Sequence, residues 1–305
     1  MIRKALLPVA LLACMQVEAD TFANEVENVY VRGVNSILFF TSENIISSGK
    51  YEFGSSDETL NTHFFPVTYH FKNDSDVYNF YINGSIGYSH YKEKNIDIRP
   101  GSIDDLSIKT YAVKLGGGVR VHVQEDTDMM FGASYIYSKV NSDYHAGLPL
   151  VLANPVDEVL DYVFNSNKDY NTYELFTSVE YHPTVNAYEP YVSADIRYFD
   201  TKIDDPRATI SDTSAIISKF NIGVITPPVT SIKGLPLKLE FYASEVFLGG
   251  DMDDSLGVDK FTMVGTTFHL GTTLLNDWVS DVSFDMNIVR GKNLSGFNFG
   301  FGLSF

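Results

Sequence analysis

The chain has 305 residues, a formal charge of −17 at pH 7, 44% hydrophobic residues and one cysteine. The acidic balance argues against nucleic acid as a partner, and the lone Cys14 leaves nothing for disulfides to staple. After the first fifteen residues no apolar run approaches the ~18 that a membrane helix needs, so any bilayer crossing falls to strands, which 22 Phe, 19 Tyr and 22 Gly against one Trp also suit.

The N-terminal MIRKALLPVALLACMQVEAD places Arg3 and Lys4 before an apolar stretch from Ala5 to Met15 and a small-residue site ending at Ala19, the order of an export leader over residues 1 to 19. Cleavage after Ala19 is expected, with a lipobox ending at Cys14 as the competing processing route. A mature chain without cysteine favours a bacterial envelope protein. In residues 20 to 33, Phe22, Val26, Val29 and Tyr30 recur at helical spacing, so this segment is expected either to plug a lumen from the periplasm or to lead as a disordered tether into the first strand.

From there the signal is period-two alternation, which a membrane strand leaves because successive side chains point to opposite faces. The segment near 34 to 43, VNSILFFTSE, is apolar on both faces. Residues 77 to 91 set Tyr78, Phe80, Ile82, Ile86 and Tyr88 against Asn79, Asn83, Ser85 and Ser89. Residues 111 to 123 set Val113, Leu115, Val119, Val121 and Val123 against Lys114, Arg120 and His122. In 188 to 200, Val192, Ala194, Ile196 and Tyr198 oppose Ser193, Asp195 and Arg197, and in 278 to 288, Val282, Phe284, Met286 and Ile288 oppose Asp281, Ser283, Asp285 and Asn287. Weaker alternation runs near 64 to 72, 128 to 140, 170 to 182, 214 to 226, 236 to 248 and 260 to 274. The chain closes on GFNFGFGLSF, with Phe297, Phe299, Phe301, Leu303 and Phe305 on one face, which brings the total to about twelve strands.

With Phe305 at a periplasmic edge the connections alternate in length. The periplasmic set is 72 to 76, 123 to 128, 182 to 188, 227 to 236 and 275 to 277; the external set is 44 to 63, 92 to 105, 141 to 169, 201 to 213 and 249 to 259, with the short 291 to 294 hairpin as the exception. These features predict an all-β fold: one transmembrane antiparallel up-and-down β-barrel of about twelve strands over residues 20 to 305, with periplasmic termini, in a Gram-negative outer membrane. A soluble β-sandwich alternates too. Against it stand the leader, the unprotected final Phe strand, and apolar faces of the ~9–11 residues that a tilted membrane strand needs. Turning Lys114 and Arg120 to lipid would cost ~2–4 kcal/mol each near the midplane, so they face the lumen and the apolar faces meet outer-membrane lipid and lipopolysaccharide.

The alternating apolar residues of GFNFGFGLSF resemble the C-terminal assembly signal of bacterial outer-membrane barrels, which implies that the barrel-assembly machinery reads Phe297, Phe299, Phe301, Leu303 and Phe305. Twelve strands and a chain-final barrel are similar to the translocator domain of autotransporters. Those proteins carry a passenger ahead of the barrel, whereas here about fifteen residues separate the expected cut from the first strand. The chain thus resembles the solitary autotransporter-like barrels, and the resemblance implies a barrel alone, without an assigned activity.

The lumen-lining residues expected from the phase are Lys114, Arg120, His122, Glu174, Glu180, Asp195, Arg197, Lys219, Lys238, Glu240, Asp281 and Asp285, with Asp195, Arg197 and Lys219 near Glu240. Both signs are present, so a filling network of hydrogen bonds is favoured over a charge-selective pore. None of the seven His residues has a Ser two positions later, the spacing of outer-membrane phospholipases. Omptin-like proteases use Asp and His at the rim, and His63, His90 and His145 lie near external loops with Asp104-Asp105, Asp204-Asp205 and Asp253-Asp254, pairs that solvated loops also carry. GGDMDDSLGVDK, 249 to 260, has oxygen ligands suited to Ca²⁺ but neither EF-hand spacing nor a closing Glu. In 141 to 169, PVDEVLDYVF suits a short surface helix or an adhesive epitope. The sequence thus points to a narrow or gated passive conduit or a structural barrel, without cofactor or metal. A surface-interaction protein acting through external loops comes second, and a rim hydrolase third.

Overall fold

The computed structural model describes residues 46–54, 57–71, 77–96, 104–145, 167–203, 212–273 and 279–304. The expected leader, the 20 to 33 segment, the strand near 34 to 43 and Phe305 lie outside these residues. The strands are β1 (Ile46–Phe53), β2 (Glu58–His70), β3 (Tyr78–Ile96), β4 (Asp104–Gln124), β5 (Thr127–His145), β6 (Asn167–Tyr181), β7 (Glu189–Ile203), β8 (Thr213–Ile225), β9 (Thr230–Ile232), β10 (Leu235–Gly250), β11 (Lys260–Thr273), β12 (Val279–Gly291) and β13 (Leu294–Ser304). Each long strand pairs antiparallel with its neighbours in sequence, and β9 is a three-residue addition to β10. The sheet closes where β1 meets β13, from Ile46 opposite Phe301 to Phe53 opposite Leu294. The result is the closed twelve-strand antiparallel barrel that the alternation predicts. Closure gives every long strand two partners and so removes the edge that a terminal Phe-rich strand would otherwise expose.

The outer wall explains the phase of the apolar residues. Tyr88 meets Tyr111 and Tyr135 meets Tyr173 across strand pairs, with ring centroids 5.1 and 5.6 Å apart. Nearer the turns that share an end with Ser304, Tyr69 packs on Phe71 and Tyr78 on Phe80. Between these two belts the exposed side chains include the aliphatic Ile82, Ile86, Val113, Leu115, Leu175 and Ile222, with Phe65 level with Ile86. Aromatic belts bracketing an aliphatic band are the signature of a membrane-facing wall. From Tyr78 to Tyr88 the strand rises ~33 Å, or ~25 Å when tilted by ~40°, the height of a bilayer's apolar band.

Past the Tyr88 and Tyr111 belt the alternation persists but its sign inverts. On β4, Leu106 and Ile108 are buried inward, each 1% exposed, while Ser107 and Lys109 point outward. On β5, Ile136 and Val140 are buried and Lys139 is exposed; on β7, Phe199 is buried and Lys202 is exposed. The wall therefore continues beyond the apolar band as a water-facing barrel, polar outside and apolar inside.

This inversion underlies several corrections. The expected external loop 44 to 63 is largely the β1–β2 hairpin, and the closed sheet is complete with β1 starting at Ile46. In β1, ISSGKYEF, the buried set is Ser47, Gly49, Tyr51 and Phe53, opposite Ser48, Lys50 and Glu52, so no lipid-facing stripe marks it in the sequence. The expected loops 92 to 105 and 141 to 169 likewise begin and end as strand, through Ile96, from Asp104, through His145 and from Asn167. PVDEVLDYVF lies outside the described residues. In the 249 to 259 segment, Gly249 and Gly250 finish β10 and a short helix α1 (Asp251–Leu256) follows. Gly250 at φ 75 and the αL cap Gly257 at φ 63 supply the backbone turns that a side chain would resist.

Candidate functional site in the barrel interior

In the half of the barrel remote from Ser304, the interior holds an apolar core, with Ser89, Thr110, Ser142, Thr172 and Thr201 also buried there. One contact cluster takes Tyr51, Leu60, Tyr91, Ile108, Val140 and Tyr170 from β1 to β6, and Phe199, Ile217, Leu248, Phe261, Val289 and Leu294 from β7, β8 and β10 to β13. Each of these is at most 7% exposed. All twelve long strands thus contribute to a single cluster of side chains shielded from solvent. Helix α1 adds Met252, fully buried, and Val258 follows it into the same cluster. Burying side chains of this size is worth ~1.5–3 kcal/mol each, so the core is a substantial part of what holds the projecting wall together.

The half nearer Ser304 is polar inside. Lys114 Nζ lies 2.5 Å from Glu174 Oε2, and Arg197 donates to Glu174 at 2.7 Å and to Asp195 at 2.8 Å, with its guanidinium 4.9 Å from the Phe176 ring centroid. Lys114 on β4 and Glu174 on β6 are separated by the whole of β5, and such a contact forms only on the concave side of a closed sheet. Arg120 donates to Asp128 at 2.6 Å, and His122 and His182 also contact that carboxylate. Farther round, His269 bridges Glu240 at 2.8 Å and Asp281 at 3.3 Å, and Tyr191 donates to Glu240. Asp285 accepts from Tyr242, Thr267 and Asn287, each at 2.9 Å. Lys238 donates to Glu189 at 2.8 Å.

All twelve residues expected to line the lumen fall on the inward register of their strands, but they divide into separate groups. Glu240 does not join Asp195 and Arg197; it bonds to His269 and Tyr191 instead. Lys219 is the Cα partner of Asp195 yet carries no ion pair among the described residues, nor does Glu180. Sequence reasoning missed Asp128, Tyr191, Tyr242 and His269 as interior groups. The parity of Tyr191 and Tyr242 was available, since each falls in the same phase as a named inward residue on its strand, whereas β5 and β11, which carry Asp128 and His269, held no named inward residue. The apolar core was also missed, because alternation was followed only with its apolar side toward lipid.

His63 and His90 sit on strands rather than in loops, outward in register, and pair with Ser48 and Ser107 at 2.9 Å. They do not converge on Asp253 and Asp254, which belong to α1. The third aspartate of that helix, Asp251, accepts from the Ser214 backbone N–H at 2.7 Å. Among the described residues no three His, Cys, Asp or Glu side chains converge as a metal site requires. Of the C-terminal residues, Phe297, Phe299 and Phe301 are exposed on the outer wall, and Leu303 lies opposite Val282.

No curated protein sequence matches the chain significantly. Solved structures do. The translocator domain of the autotransporter NalP from Neisseria meningitidis aligns over 96% of this chain and 98% of its own at 11% identity, with a TM-score of 0.59. The β domain of the Bordetella autotransporter BrkA aligns over 85% and 97% at 10% identity, TM-score 0.57. The transport unit of AIDA-I from Escherichia coli aligns over 94% and 99% at 12% identity, TM-score 0.55. At such identities the likeness is one of fold. The family model described as the solitary outer membrane autotransporter β-barrel domain matches residues 37–301, nearly the whole described barrel, and the chain belongs to that family.

Proposed function

We propose that this chain is a closed outer-membrane barrel whose projecting, internally packed end serves as a rigid platform for interactions at the cell surface. The single observation behind this proposal is the apolar cluster to which all twelve long strands contribute. A water-filled passage through that cross-section would have to separate side chains such as Ile136, Val140 and Phe199, each fully buried. A wall extended beyond the lipid band adds nothing to membrane anchorage, whereas it lifts the strand ends clear of the surface. The termini are periplasmic on this reading, and the projecting end is external.

The conduit expected from the sequence has one feature in its favour, the charged interior of the other half, and it requires the core to move aside. Single-channel recording of the refolded chain in a planar bilayer separates the two. The platform reading expects a folded, heat-modifiable barrel without discrete current steps, and protease cleavage on intact cells within 146–166. Steady steps in the unmodified protein would overturn it.

A further inference from the structure

The outer wall carries a trough of about 800 Å³ that crosses β13 and β1 to β5. It lies between two neighbouring rows of outward side chains. One row runs from Phe301 through Ile46, Phe65 and Ile86 to Tyr137; the other, nearer the projecting end, runs from Phe299 through Ser48, His63, Tyr88 and Tyr111 to Lys139. The floor is the backbone between the rows, where Ser47, Phe64 and Ala112 turn their side chains inward. The rings of His63, Tyr88 and Tyr111 follow one another along the upper wall, with centroids 6.0 and 5.1 Å apart.

The trough climbs the wall. Phe301 stands three residues from Ser304, whereas Lys139 stands twelve from Thr127, the end of β5 on the same side. From β13 to β5 there are five strand spacings of ~4.8 Å, a length of ~24 Å, which strands tilted by ~40° convert into a rise of ~15 Å. That rise is one leaflet's share of an apolar core ~30 Å thick. The lower end is lined by Phe284, Phe301 and Ile46, and the upper end reaches the tyrosine belt, the depth at which lipid headgroups begin.

The upper end is also where the cations are. Lys139 is exposed and carries no ion pair among the described residues, while Asp169, the Cα partner of Lys139, accepts from the Tyr137 hydroxyl. Lys109, one row farther out on β4, meets Asp143 only at 3.7 Å, with both side chains largely in solvent. Lys92 lies next to them on β3. Burial and then the charges of Lys92 and Lys109 hold the His90 imidazole below its ordinary range, so this patch is electropositive in spite of Asp143. Among the described strands no Lys or Arg faces outward within the apolar band or at the belt nearer Ser304.

We propose that the trough holds an acyl chain of a membrane lipid whose anionic phosphate headgroup rests on Lys139 and Lys109. A free phosphate would leave the trough unfilled, and an uncharged lipid would leave the cations unanswered. The trough opens on the lipid-facing wall, so acyl chains are what it meets. The site holds whichever side of the membrane the projecting end faces, and it is therefore independent of the platform reading.

The test is native mass spectrometry of the refolded full chain in detergent, with phosphatidylglycerol and phosphatidylcholine of matched acyl chains added in turn. One phosphatidylglycerol per chain is expected to be retained, about fivefold or more in preference to phosphatidylcholine, and the double variant Lys109→Gln, Lys139→Gln is expected to weaken it by about tenfold or more. Lys202→Gln, at an exposed position on β7 away from the trough, is expected to change nothing. Ser48→Trp occupies part of the trough and is expected to weaken both lipids. All these side chains point outward, and a heat-dependent gel shift confirms that each variant is folded. The proposal is overturned by equal retention of the two lipids, by indifference to the double variant or to Ser48→Trp, or by an equal loss in Lys202→Gln.

Discussion

Replacing Glu174 by Gln tests whether the interior charges are structural. Glu174 is 1% exposed and is the common acceptor for Lys114 at 2.5 Å and Arg197 at 2.7 Å, which are themselves 5% and 7% exposed. The Gln amide keeps the shape and one acceptor but removes the charge. Arg197 retains Asp195 at 2.8 Å, whereas Lys114 loses its 2.5 Å carboxylate. Removing one member of a buried charge pair costs ~3–5 kcal/mol, and the partial compensation at Arg197 sets the expectation near ~3 kcal/mol. Adding Lys114→Met removes the cation that has lost the Glu174 charge, so the double variant is expected to be more stable than Glu174→Gln alone by more than ~1 kcal/mol. Equilibrium unfolding in guanidinium, with the barrel in lipid vesicles and a heat-dependent gel shift as the folded-state control, reads both. A Glu174→Gln barrel within ~1 kcal/mol of the parent, or strictly additive behaviour in the double variant, would refute the argument.

Other perturbations probe the remaining parts. Phe199→Ala, at a fully buried core position, is expected to cost ~3–5 kcal/mol in the same unfolding assay and to introduce current steps absent from the parent. Leu115→Arg, on the outer wall inside the aliphatic band, is expected to cost ~2–4 kcal/mol, while Ser107→Arg on the same strand beyond the Tyr111 belt, which gives up the hydrogen bond to His90, costs no more than ~1.5 kcal/mol; equal costs would remove the proposed membrane boundary. Gly132→Ala puts a methyl where the Phe176 ring lies and is expected to destabilise by ~1–3 kcal/mol, with near-UV circular dichroism reporting the displaced ring.

The barrel was legible because lipid-facing alternation is a positive signal that needs no partner to interpret. In β4, Val113, Leu115, Val119 and Val121 announce both the strand and its phase, and the inward placement of Lys114 and Arg120 follows from the cost of the alternative. β1 gave no such signal, since its outward residues include Ser48, Lys50 and Glu52. The pairing of interior charges was legible only in part. Asp195 and Arg197 share a strand and meet by their spacing alone, but Glu174 reaches Lys114 over β5, and His269 reaches Glu240 and Asp281 from a strand between theirs. Those contacts depend on curvature and stagger, which no single segment encodes.

The inversion along each strand follows from where water is. Inside the lipid band the outer wall must be apolar, and lipid then supplies the environment that a core would supply elsewhere, so the interior is free to be polar provided its groups are paired, as around Glu174 and Asp285. Beyond the Tyr88 and Tyr111 belt the outer wall meets water, and a barrel with water on both faces has no apolar burial to offset its chain entropy. The projecting segments therefore need a core of their own, and the clustered side chains from all twelve strands provide it, with Met252 of α1 capping it. The same physics links the projecting end to closure: the longer the wall stands out of the membrane, the more of its stability rests on side chains that occupy the passage. A conduit through this fold would have to give up the interactions that hold the projecting end in shape, which is why the platform, and not the pore, is the economical reading of its long strands.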